Sequence, residues 1–260
     1  MNMLDIRRPS AHVAEVWLNR PEVRNAFNSE LIAELTSTFA TLGADAQLRA
    51  IVLAGHGKAF CAGADLNWMR AMADYSWAQN KADAAGLAEM LWTIYSCPLP
   101  VVARVQGDCY AGGVGLVAAC DVVVAAEGLQ FCLSEARLGL LPATIGPYVV
   151  RALGEQASRR YFITAERFSA ERAHALGLVH ELASADTLDG SVAQIVGTLV
   201  ANGPAAVKAS KQLVQDVAGR AIDAALRDDT VRRIADIRAS DEGREGVSAY
   251  LAKRDPHWKR

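Results

Sequence analysis

Two runs of small residues, each directly behind an apolar stretch, constrain this chain more than any reactive side chain does. Ala50-Ile51-Val52-Leu53-Ala54 leads into Ala59-Phe60-Cys61-Ala62-Gly63-Ala64-Asp65-Leu66. Val101-Val102-Ala103-Arg104-Val105 leads into Gly107-Asp108-Cys109-Tyr110-Ala111-Gly112-Gly113-Val114-Gly115. A short β-branched run reads as a buried strand, and the small residues behind it read as a tight turn opening a helix. The first turn of a helix leaves N–H groups without intrahelical acceptors. Two such turns facing each other make a donor pair for a developing oxyanion. Either turn alone favours plain backbone geometry, because glycine serves wherever a chain bends sharply.

The rest of the pattern is strand and helix in alternation. Val13–Leu18 reads as a strand ending at Asn19-Arg20-Pro21, and Asn28 or Ser29 caps the helix that follows. Ile32, Leu35, Phe39 and Leu42 lie on one face of that helix. Val122–Ala125 and Leu129–Leu133 read as further strands. This order predicts an α/β core with largely parallel strands. From Ile145 onward the pattern turns helical. Helices are expected over Tyr148–Ala165, Ala170–Leu176 and Pro204–Ala218. Two more are expected within 221–253, broken near Asp241-Glu242-Gly243, and 183–190 reads as a surface loop.

Composition narrows the functional classes. Of the 260 residues, 52% are hydrophobic and 22% charged, with a formal net charge of −2, which is ordinary for a globular protein and argues against general affinity for nucleic acid. No uninterrupted apolar run is long enough for a membrane helix, and Met1–Pro9 lacks the apolar stretch of a secretory signal. The five cysteines show no Cys-x-x-Cys pair and no histidine at zinc spacing, so no metal site is expected and packed, reduced thiols of a cytoplasmic protein are. Cys61 has no histidine in a recognisable base position. His56-Gly57-Lys58 lacks the rest of a phosphate loop, and neither glycine turn matches a dinucleotide fingerprint.

Four motifs in order carry a resemblance along nearly the whole chain. They are Leu18-Asn19-Arg20-Pro21 through Asn28; Ala59–Leu66; the Gly112-Gly113 turn ending in Cys120-Asp121 with Phe131, Glu135, Gly139 and Pro142 behind it; and Glu245–Arg254. In this order the chain resembles the enoyl-CoA hydratase/isomerase (crotonase) superfamily. The resemblance implies a crotonase-like spiral of ββα units over 1–200 and a helical C-terminal trimerisation region over 201–260. It also implies assembly as a homotrimer or hexamer, and a CoA thioester as substrate with no separate cofactor.

Site residues follow from the same resemblance. The N–H groups of Ala64 and Gly112 are expected to hold the thioester oxygen, where charge grows in an enolate-like state. Glu135 is expected to be the acid/base, its pKa raised by apolar surroundings. Arg24, Ala26, Ala62, Ala64, Asp65 and Leu66 are expected along the CoA path, with Tyr250 and Lys253 reaching the nucleotide from a neighbouring subunit. Lys253 reads equally as a solvated lysine.

One position departs from the family. Hydratases typically carry a second glutamate where this chain has Gly115. Asp108, Cys109, Tyr110, Ser134 and Glu89 are candidates for the missing role, and Gly115→Glu is expected to restore a carboxylate pair. Around Gly112–Leu116 and Phe131–Ile145 the chain looks like bacterial methylglutaconyl-CoA and isohexenylglutaconyl-CoA hydratases, which take branched esters bearing a second carboxylate. Arg137 would pair with that carboxylate or serve structure. Hydratase is the favoured activity, Δ3,Δ2-isomerase with Glu135 alone the rival, and a non-catalytic acyl-CoA- or RNA-binding homologue the alternative of another class.

Overall fold

The computed structural model describes residues 2–259; Met1 and Arg260 lie outside the described residues. Six strands form one sheet in the order β1 (Leu4–Ser10), β2 (Val13–Leu18), β3 (Ala50–Gly55), β5 (Val101–Val105), β7 (Val122–Ala126) and β10 (Glu181–Ala183). Four short strands form a second sheet in the order β4 (Ala59–Cys61), β6 (Asp108–Tyr110), β8 (Gln130–Cys132) and β9 (Arg167–Ser169). Pairing is parallel except for β1 with β2 and β8 with β9. The strands β3 and β7 are continuous apolar runs and β5 is broken only by Arg104, as parallel strands covered on both faces require.

The chain winds by a repeated step. A strand of the large sheet (β3, β5, β7) is followed by one of the small sheet (β4, β6, β8) and then by helix. The helices are α2 (Leu66–Ala73) with α3 (Trp77–Tyr95), then α4 (Gly112–Ala119), and then a 3-10 turn (Glu135–Leu138) leading to α5 (Gly146–Leu153). β4, β6 and β8 lie side by side with Cys61 opposite Cys109 and Cys109 opposite Phe131. Neighbouring strands sit about 4.8 Å apart. The turns that leave their C-terminal ends are therefore neighbours in space.

Helix α1 (Ser29–Gly43) is capped by Asn28, whose side chain accepts from the Leu31 N–H. The four residues assigned to its inner face are buried. The expected helix over 148–165 is two, because Gly154 adopts φ 76 and ends α5 before α6 (Glu155–Thr164) begins. The expected strand over 129–133 is only three residues long. The loop expected over 183–190 is shorter, since α8 (Leu188–Ala201) opens inside it. The long α3 gave no clear periodic signal: it buries only Met90, Leu91 and Ile94 near its end. α7 (Ala170–Leu176), α9 (Pro204–Val217), α10 (Ala224–Ala239) and α11 (Asp241–Leu251) match expectation closely, the last two parting at Ser240, which caps α11. Lys211 ties α9 to the core through Asp121 (2.6 Å) and the Leu99 carbonyl (3.1 Å). Among the described residues, no helix is long and apolar enough to cross a membrane.

Asn25 joins the first loop to this core. Its side chain is fully buried; Nδ2 donates to the carbonyls of His56, Ala59 and Phe60 at 2.9–3.1 Å, and Oδ1 accepts from the Arg20 N–H at 2.9 Å. Asn25→Ala strands those groups away from water. It is expected to destabilise the chain by on the order of 3 kcal/mol in urea unfolding, and a loss under about 1 kcal/mol would show that water replaces the amide.

Candidate active site

Three small-sheet strands deliver three turns. Ala62–Asp65 follows β4, Ala111-Gly112 follows β6, and Ser134-Glu135 follows β8 two residues beyond its end. The first turn is zipped to the loop that Asn25 anchors. The Ala62 N–H donates to the Arg24 carbonyl (3.0 Å), the Phe27 N–H to the Gly63 carbonyl (2.7 Å), and the Asp65 N–H to the Phe27 carbonyl (2.8 Å). Phe27 and Ala64 thus form a parallel bridge. Gly63 and Asp65 direct their bonding groups at Phe27, so the Ala64 N–H points the opposite way, as alternation along extended backbone demands. It donates to no acceptor among the described residues.

The second turn meets the first. Gly63 has φ +88, and a Cβ built there would lie 3.0 Å from the Ala111 Cβ. Ala111 itself holds φ 48, ψ −121, a region normally left to glycine. Gly112 then opens α4, and its N–H also donates to no acceptor among the described residues, as expected at the first position of a helix. A Cβ at Gly112 would approach the Phe27 ring to 2.9 Å, so Phe27 packs on both turns.

Glu135 opens the 3-10 turn behind β8. Its Oε2 is buried and has no hydrogen-bond partner among the described residues. Burial pushes its pKa above the ordinary 4.5, against a weaker opposing bond from its own N–H. Such a carboxyl is poised for proton transfer.

The candidates for a second acid/base have other work. Asp108 accepts from the Tyr110 hydroxyl (2.8 Å) and the Gln130 N–H (2.9 Å), and Cys109 is buried with its thiol pushed well up. Glu89 is exposed on α3. The space beside Gly115 is filled: a Cβ there would press into Ile145 Cγ2 and lie 2.6 Å from Ile145 Cβ. A glutamate at 115 has no room until Ile145 moves, which corrects the expectation that it would simply restore a carboxylate pair.

Among the residues assigned to the CoA path, Arg24 and Leu66 are exposed, Ala62 is half-buried and Ala26 is buried. Asp65 is buried, with its polar groups engaged within the fold. Its carboxylate caps α2 through the Asn67 N–H (2.8 Å) and pairs with Arg20 (2.9 Å), and its carbonyl accepts from the Met69 N–H. Burial pushes that carboxyl up, but Asn67 and Arg20 outweigh it and hold it below 3.8. Tyr250 and Lys253 are exposed on α11 and just past it, and α11 packs on α9 and α10. The closing motif has a structural basis as well. Arg254 makes a two-pronged bond to Glu245 (2.6 and 2.8 Å), which holds the Glu245 carboxyl down at about 2. Lys253 takes the left-handed conformation that ends the helix, its N–H and that of Arg254 bonded back to the carbonyls of Tyr250 and Ala249.

Two recesses open to solvent lie elsewhere. One of about 240 Å³ is lined by Tyr95, Asp121, Tyr148, Arg151 and His180 among others, and one of about 380 Å³ lies between α9 and α10. Neither is lined by Ala64, Gly112 or Glu135.

The enoyl-CoA hydratase/isomerase family model matches residues 8–260. The chain belongs to the enoyl-CoA hydratase/isomerase family. It is 31% identical over 245 residues to 2,3-dehydroadipyl-CoA hydratase of Escherichia coli K12, covering 93% of each chain. Among solved structures it is 39% identical to an enoyl-CoA hydratase from Shewanella pealeana, with TM-score 0.95, covering 99% of this chain and 96% of that one. An enoyl-CoA hydratase from Mycobacterium smegmatis is 35% identical, with TM-score 0.94 and full coverage of both chains. The crotonase fold implied by the sequence motifs is the fold of this chain.

The packing at Gly115 gives a test independent of activity. Gly115→Ala forces a methyl into Ile145 and is expected to cost about 1–3 kcal/mol in thermal unfolding, and adding Ile145→Ala should recover part of that loss. A Gly115→Ala variant as stable as wild type would show that Ile145 moves freely.

Proposed function

We propose that this member of the family hydrates an enoyl-CoA thioester, using Glu135 with the N–H groups of Ala64 and Gly112. The observation that carries the reading is the half-buried Glu135 carboxyl, whose buried Oε2 has no partner among the described residues, in the same strand-end row as two unclaimed backbone donors. The thioester carbonyl oxygen accepts from both N–H groups. As water adds to the β-carbon, the Glu135 carboxylate takes its proton and charge collects on the carbonyl oxygen. Fixed donors there stabilise it by about 3–4 kcal/mol each. Glu135 then returns the proton to the α-carbon, so one carboxylate serves both halves and ends as it began. The scheme uses no cofactor beyond the CoA that the substrate carries.

The acyl group in this reading is branched or carboxylated, as in the methylglutaconyl-type relatives the motifs resemble. The dehydroadipyl-CoA relative supports a carboxylated chain. A second reading, double-bond isomerisation, is favoured by one observation: Ile145 leaves no space for a second carboxylate at Gly115. Hydration of crotonyl-, 3-methylcrotonyl- and 3-methylglutaconyl-CoA, followed by loss of conjugated-thioester absorbance, separates the two. Activity confined to 3-enoyl-CoA substrates would make the chain an isomerase.

The proposal includes a cytoplasmic homotrimer or hexamer in which Tyr250 and Lys253 reach a neighbour's CoA. Exposed Val214, Val231, Ile234, Val247 and Leu251 on the C-terminal helices support self-association. Light scattering is expected to give a trimer or larger, and a monomer at micromolar concentration would remove that role from both residues.

Glu135→Gln is expected to lower kcat by ~10²–10⁴-fold while CoA-ester binding survives; activity within a few-fold of wild type would take Glu135 out of the mechanism. Stability should move the other way. The folded chain holds the Glu135 proton more tightly than the unfolded chain, so stability falls as pH rises from the ordinary 4.5 to the folded pKa. Glutamine does not titrate. The variant should therefore be more stable than wild type at neutral pH, and this advantage should fade as pH falls from the folded pKa to 4.5.

A further inference from the structure

We propose that Arg137 is a positioning residue for Glu135, acting through the carbonyl oxygen of Ala165; this rests on the reading of Glu135 as the acid/base. A carboxylate whose Oε2 has no partner is not oriented by hydrogen bonds to its surroundings. Its place is set by the backbone turn that carries it. The backbone bonds of that turn are local: Arg137 N–H to the Ser134 carbonyl (3.1 Å), Gly139 N–H to the Ala136 carbonyl (3.2 Å), and Leu140 N–H to the Glu135 carbonyl (3.1 Å). They shape the turn without fastening it to the rest of the protein.

One oxygen fastens it on both sides. Arg137 Nη2 donates to the Ala165 carbonyl at 2.5 Å, and Cys132 Sγ donates to the same oxygen at 3.2 Å. A carbonyl oxygen has two lone pairs, and these two donors flank Glu135 in sequence. The Arg137 bond is charge-assisted and is the stronger of the two. Burial pushes the Cys132 thiol above 9.0, so it stays a donor at neutral pH.

The oxygen is itself well anchored. Ala165 ends α6 in the left-handed conformation, its N–H bonded to the Tyr161 carbonyl at 3.1 Å. The Tyr161 ring stacks on Phe168 at 4.3 Å, and Phe168 stacks on Phe131 of β8 at 5.6 Å. The clamp therefore runs from β8 through α6 and back to the Glu135 turn. Arg137 forms no ion pair among the described residues, so the rival assignment is a partner for a substrate carboxylate.

Steady-state kinetics of Arg137→Ala, Arg137→Lys and Glu135→Gln across pH decide between them. Arg137→Ala is expected to lower kcat by ~10- to 100-fold on unbranched and carboxylated esters alike, with KM within about threefold of wild type. The ionisation of Glu135 in its rate profile should shift towards lower pH, because a loosened turn is better solvated. Arg137→Lys keeps a cationic donor and should recover much of the rate. If Arg137→Ala does not fold, Cys132→Ala loosens the same oxygen and should change kcat and the pH limb in the same direction, by less. Unchanged kcat and pH limb in the folded variants overturn the proposal. So does a KM increase confined to carboxylated esters, which would make Arg137 a reader of substrate. Full activity in Glu135→Gln overturns the acid/base reading and this proposal together. Loss there beside a silent Arg137→Ala overturns this proposal alone.

Discussion

The buried amide of Asn25 is the interaction on which the site's geometry depends. It binds one carbonyl from the β3–β4 connection, two from β4 and one N–H from its own loop, and so clamps residues 24–27 against β4. With the loop fixed there, Phe27 pairs with Ala64 and claims the bonding groups on either side of it. The Ala64 N–H is left facing away. A donor that must be free in a folded protein has to be kept free by the pairing of its neighbours, and here one buried side chain enforces that pairing.

The two kinds of reacting group are held differently. The N–H donors sit on turns so close-packed that Gly63 and Ala111 touch and Ala111 is pressed into a strained conformation. Strain of this kind persists only where the surroundings over-determine it. Glu135 has no such wall of bonds, and a carboxylate fixed by strong donors would have its pKa lowered and its proton affinity lost. Bare burial raises the pKa at some expense in stability. Orientation must then come from the chain behind it, which is where Arg137 and Ala165 lie.

Several motif residues that look functional in sequence are structural in space. Asp65 caps α2 and pairs with Arg20, Asp121 receives the Val101 N–H and Lys211, and Glu245 holds Arg254 and the His257 N–H. Each fastens one ββα step or one helix to the next. A motif therefore records the bonds that build the site as well as the groups that act in it, and spacing alone does not tell the two apart.

The sequence by itself determined the alternation of strand and helix, the capped α1 with its inner face, the two small-residue turns and the one carboxylate behind Phe131. These are local properties: apolar period, cap chemistry and turn residues act within a few positions along the chain. The break at Gly154 was less legible, because a lone glycine is tolerated in many helices, and α3 was hidden because it buries so little. Tertiary structure alone decided that β4, β6 and β8 lie side by side, so that turns far apart in sequence become neighbours. It alone placed Ile145 against Gly115 and Arg137 on Ala165. Those are contacts between distant segments, and they depend on the register of sheets and the close approach of helices, which no local pattern encodes.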